Sequence, residues 1–194
     1  MQRSDKAPVV VHYFISGIEC SISSSTTNVR FSAVIRDKQI LLEKVRARNL
    51  AEPKYRYNEN EIYDGLVSEL FTTSFHQADH FELVFASRGG KDRSAALKKA
   101  LERAGEIYEQ NFGVKSSHTL NVRNSSPIQF QALQAVDYFL WALQRFYEKG
   151  EDRFWTFVWP KVQVVHDLDD TREHPFGTIY TPQQPLTLEV RERK

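Results

Sequence analysis

Three short apolar runs constrain this chain most: VRFSAVI at 29–35, HFELVFAS at 80–87 and SHTLNVR at 117–123. Each is rich in β-branched or aromatic residues and bounded by polar or Gly-containing turns, which is the pattern of a strand. Between them the apolar residues recur at three and four positions, the period of a helix with one buried face. Ile62, Leu66, Leu70 and Phe71 make one such face, in a helix that Asn58 or Asn60 can cap and that runs to about Phe75. Another helix follows RGGKDR and ends near Gly113, and NSSP starts the helix that carries LQAVDYFLWAL. Strands alternating with helices predict an α/β fold in which helices cover a sheet.

The bulk numbers allow such a fold. The 194 residues are 41% hydrophobic and 26% charged, a composition typical of globular chains and not of disordered ones. A chain of this length buries about 70% of its unfolded surface. It reads as one domain over 1–194, with an irregular C-terminal extension from about Asp152. The net charge of +1 makes no global case for a polyanionic partner. A single cysteine, Cys20, excludes an internal disulfide framework and fits a reducing cytoplasm. No apolar run approaches the roughly 20 residues of a membrane span, and the start MQRSDKAP lacks signal-peptide character. These features predict a cytoplasmic protein with no membrane partner.

The N-terminal region is ambiguous by pattern. Ser4, Asp5 and Pro8 resemble a helix start, with Val11, Phe14, Ile15 and Ile18 at helical spacing, whereas the run VVVHYFI equally suits a strand. Beyond VRFSAVI, Asp37 falls just past the strand end, and a short helix is expected with Ile40, Leu41 and Val45 facing inward.

One carboxylate stands out. On a helix Asp137 shares a face with Leu133, Leu140 and Trp141, four residues before and three and four after it. An ionised carboxylate buried there costs several kcal/mol unless a cation, hydrogen bonds or a metal offsets it. Asp37, at the end of a strand, is placed where α/β folds build their sites. The two acids could share a divalent ion; the plainer use of Asp37 is as a turn residue or as a partner of Lys38.

The residues around these acids carry a resemblance. SSPIQFQALQAVDYFLWALQRFYEKGEDRFW resembles the closing helix of the bacterial and phage family called domain of unknown function 3800, with its Leu-Gln-x-x-Asp-Tyr pattern. RFSAVIRDK, YRYNENEIYDGLVSELF and FASRGGKDRSAAL resemble one branch of that family, in order and at similar spacing, so the likeness covers about residues 4–188. It implies a ribonuclease H-like mixed sheet flanked by helices and a cluster of acids holding Mg²⁺ or Mn²⁺. It also implies a relationship to metal-dependent nucleases acting on nucleic-acid phosphodiesters, although the family has no agreed activity. Within the resemblance Asp137 and Asp37 match acids of the last helix and of the fourth strand's end. Only Asp5 remains of a second acidic region, and nothing matches the family's opening Asp-Glu-Ser/Ala-Gly strand. The expectation is an incomplete version of the fold, missing N-terminal strands, whose open sheet edge is completed by a homo-oligomer or by another chain. Such a chain is either a nuclease whose acidic strand is supplied from elsewhere, or a catalytically silent subunit that binds nucleic acid or protein.

Further residues complete the expected site. The turn RGGKDR offers Arg88, Lys91 and Arg93 as contacts to a phosphate backbone, against the alternative of a plain βα connection. Arg56 lies among the tyrosines of KYRY, a base-and-aromatic pattern that suits stacking on nucleotides as well as packing on a surface. Glu61 begins a helix, where the dipole favours acids in any case; the alternative places it in the catalytic site. HDLDD at 166–170 lacks full calcium-loop spacing and reads as a turn or an ion-pair site for Arg172.

Overall fold

The structure is a computed structural model that describes residues 10–14, 18–19, 28–72, 80–87, 92–113 and 119–192. The chain divides into two compact units, residues 1–58 with 138–194, and residues 59–137.

The first unit is built on a mixed four-stranded sheet. Its strands are β1 (Val10–Phe14), β4 (Phe31–Arg36), β7 (Val162–Asp167) and β8 (Thr178–Tyr180), in the spatial order β1-β4-β7-β8. β1 runs antiparallel to β4, β4 parallel to β7, and β7 antiparallel to β8. A short ribbon pairs β2 (Ile18–Glu19) with β3 (Asn28–Val29). Residues 10–14 are therefore a strand and not part of a helix. Val10 and Val11 are β-branched, and pairing with β4 from Val10↔Arg36 to Phe14↔Ser32 satisfies a backbone that favours extension. The helix start at Ser4 to Pro8 lies outside the described residues.

Phe31 to Ile35 are all buried, so both faces of β4 are covered. One face packs in a core of Phe31, Ala33, Ile35, Phe139, Leu143, Phe146, Trp155 and Val165. Phe31 stacks on Phe139 with ring centroids 4.9 Å apart. The tail from Asp152 is not an irregular extension. It forms α5 (Asp152–Val158), a 3₁₀ turn at Trp159–Lys161, β7, β8 and α6 (Leu188–Glu192), so two of the four strands come from it.

Asp37 caps α1 (Lys38–Ala51): its Oδ1 accepts the N–H groups of Gln39 at 2.7 Å and Ile40 at 3.2 Å. Leu41 and Val45 face inward as their spacing predicts; Ile40 is exposed.

The second unit pairs β5 (His80–Ala86) with β6 (Thr119–Ser125) in parallel and packs α2 (Glu59–Thr72) on α3 (Ser94–Phe112). Leu97, Leu101, Ala104 and Tyr108 form the buried stripe of α3, which ends at Gly113 in the left-handed conformation (φ 66°).

α4 (Ala132–Lys149) crosses the boundary at Asp137 and Tyr138. Phe139, Ala142, Leu143 and Phe146 form its buried face in the first unit, and Leu133 is buried in the second. That overturns the expectation for Asp137, which is exposed together with Tyr138 and Trp141. The helix has two apolar stripes. The one that follows Phe139 faces the core, and the aromatic residues nearest Asp137 lie toward solvent. No helix among the described residues is long and apolar enough to cross a membrane.

Candidate functional site

β4 and β7 run parallel with Ile35 opposite Asp167, so both strands deliver chain to the same end of the sheet. Asp37 follows β4 there. Asp167 ends β7, and Asp169 and Asp170 follow in a tight turn in which Asp167 Oδ1 accepts their N–H groups at 3.2 and 3.1 Å.

Each of these acids accepts hydrogen bonds from within the unit. Asp169, its side chain 3% exposed, takes Arg36 Nη1 at 2.8 Å, the Asp37 N–H at 2.7 Å and Lys44 Nζ at 3.5 Å. Asp167 Oδ2 accepts the Tyr147 hydroxyl at 2.8 Å. Asp170 is held bidentately by Arg172 at 2.7 and 2.6 Å and also accepts the Tyr180 hydroxyl. HDLDD is thus a turn and the ion-pair site of Arg172, as expected from its residues. The hydrogen bond from Arg172 to Asp170 holds the guanidinium more basic than usual, and burial pushes the Tyr147 and Tyr180 phenols up.

Asp37 and Asp137, expected to bind metal, belong to different units. One oxygen of Asp37 is spent on the α1 cap, Asp137 is exposed on α4, and Asp5 lies outside the described residues. Among the described residues no group of three or more His, Cys, Asp or Glu side chains is placed to hold a metal ion. Glu61 is exposed at the start of α2.

Of the expected phosphate contacts, Arg88 and Lys91 lie outside the described residues. Arg93 donates to Asp64 at 2.7 Å with its guanidinium over the Tyr63 ring, and Arg56 donates to the Pro53 and Tyr55 carbonyls. Asp92 begins α3 by accepting the Ser94 N–H at 2.9 Å, which lowers its pKa.

A surface feature went unmarked by sequence reasoning. Tyr138, Trp141 and Phe154 form a row, with ring centroids 5.9 Å apart for the first pair and 4.5 Å for the second. Arg145 lies over both Trp141 and Phe154, and Arg153 over Phe154. Tyr138 is 45%, Trp141 38% and Phe157 75% exposed. Arg145 is fixed by two bonds to Glu151, at 2.7 and 2.6 Å, which hold the Glu151 carboxyl below its usual range. Phe157 sits three residues after Phe154 on α5 and extends the apolar surface. The spacing of Tyr138 and Trp141 on one helix was a usable signal; the approach of Phe154 was not, because it depends on how α5 folds back.

No family model, no curated protein and no solved structure matches this chain.

Proposed function

We propose that this chain is a binding subunit whose α4–α5 aromatic row is a protein-contact surface. The observation that carries this is the composition and order of the row: Tyr, Trp, Phe and Arg side chains, in ring-to-ring contact, partly exposed and held by the Arg145–Glu151 pair. These residue types dominate the energetic centres of protein interfaces, and preorganised side chains lose little entropy on binding. Exposed aromatic rings also suit stacking on nucleotide bases. Here, however, Asp137, Glu148, Glu151 and Asp152 neighbour the row in sequence as closely as Arg145, Lys149 and Arg153 do. That balance of charge disfavours a polyanion.

A photoreactive amino acid placed at position 157 tests the reading in cells, with position 50, where Leu50 is 86% exposed, as the control. Polypeptide adducts from position 157 and none from position 50 are the expected result. Adducts to nucleic acid alone, or none at either position, overturn it. The rival reading, a ribonuclease H-like metal-dependent nuclease, draws on Asp37 at the end of β4 and on the motif resemblance. Mn²⁺ binding that disappears in both Asp37→Asn and Asp137→Asn, followed by calorimetry, would favour it.

A further inference from the structure

The protein-contact reading leaves the partner open, and charge placement along α4 narrows it. Asp137, Trp141 and Arg145 are spaced by four and so form one stripe of the helix. Asp137 is exposed and makes no hydrogen bond or ion pair among the described residues. Arg145 uses Nε and Nη2 on Glu151, and its Nη1 makes no hydrogen bond among the described residues. An acceptor and a donor therefore flank the exposed indole four positions away in sequence, one on each side.

From this we infer that the occupant of the aromatic row is a second copy of this chain, packed with α4 antiparallel to its mate about a two-fold axis at Trp141; this rests on the protein-contact reading. In that register a residue four positions before Trp141 opposes one four positions after it, so Asp137 of each copy meets Arg145 of the other. The contact is isologous and closes on itself. The two indoles meet at the centre, Tyr138 flanks them, and Phe154 and Phe157 form the rim. The chain's net charge of +1 sets up little long-range repulsion between copies. A partner with a uniformly charged surface would instead leave either Asp137 or Arg145 facing its own sign.

Sedimentation velocity of the full chain at rising concentration tests this. The expected result is a monomer–dimer equilibrium that Asp137→Arg and Arg145→Asp each weaken by about tenfold or more. Mixing those two variants should restore the dimer, because every facing pair in the mixed dimer is again of opposite sign. A merely structural defect would not be rescued by mixing. Should either variant fail to fold by circular dichroism, Phe157→Ser, at a highly exposed position, should weaken the dimer instead. A monomeric mass at all concentrations, or no rescue on mixing two folded variants, overturns the proposal. In that event adducts from position 157 to a different polypeptide preserve the protein-contact reading, and the absence of any adduct ends both.

Discussion

Arg36 Nη1 donates to Asp169 Oδ1 at 2.8 Å across 133 positions of sequence. Arg36 ends β4 and Asp169 sits in the turn after β7, so the pair ties together the ends of the two parallel strands. The same carboxylate accepts the Asp37 N–H at the entry to α1 and lies 3.5 Å from Lys44 on its first turns. One acid thus orients a strand end, a helix start and a turn, and it uses its lone pairs inside the unit.

Asp169→Ala should lower the unfolding free energy by roughly 2–4 kcal/mol, because it leaves Arg36 partly buried without its partner and the Asp37 N–H without an acceptor. Urea denaturation measures this. A loss below about 0.5 kcal/mol, the range of a surface substitution, would show that the acid is not an anchor.

Asp37→Ala should cost about 1 kcal/mol through loss of the α1 cap, while Asp37→Asn should cost only a few tenths, since Asn caps as well as Asp. Thermal melts of the two variants separate capping from ligation. A melting-temperature increase with Mn²⁺ in the wild-type protein that vanishes in Asp37→Asn would favour the metal reading.

Gly177 has φ 101°, and a Cβ there would lie 2.5 Å from the Asp167 carbonyl oxygen. Gly177→Ala should therefore destabilise the protein by about 2 kcal/mol or more, combining left-handed strain with a backbone clash at the end of β7. An unchanged denaturation midpoint would contradict this account.

Alkali should unfold the protein through the buried phenols. Burial raises the Tyr147 and Tyr180 pKa values above the ordinary 10.0. Above pH 10 the unfolded chain loses protons that the folded chain retains, so the stabilisation is full below pH 10 and declines as pH rises toward the folded values. Tyr147→Phe should be less stable at neutral pH by about 1–3 kcal/mol, from the lost bond to Asp167, and should fall less steeply above pH 10. Equal slopes for both proteins between neutral and strongly alkaline pH would refute it.

Much of the fold was legible because local patterns and tertiary structure agree. The run 29–35 reads as a buried strand, and Phe31 to Ile35 are buried; the stop at Gly113 follows from the need for a left-handed residue after α3. β7 was missed for a local reason. Its register shifts between Phe31 and Ser32 of β4, so VQVV does not alternate as a regular strand does. Val162 and Val165 both face the core, where strict alternation would put them on opposite sides. Asp137 was misplaced because α4 carries apolar residues on more than one stripe, and periodicity alone does not say which stripe meets the sheet.

The sequence by itself determined several elements: the buried strand within 29–35, the strand at 80–86, the helix that carries Asp137 and the stop of a helix at Gly113. These follow from steric preference and from hydrogen bonds made within a few residues. Tertiary structure alone decided the partners of the acids, because Arg36 and Asp169, or Tyr147 and Asp167, become neighbours only when distant segments pack. It also decided that Phe154 reaches Trp141. Local physics acts over one turn of chain, whereas burial and ion pairing act over ångströms of space, and no periodicity along the chain encodes that second distance.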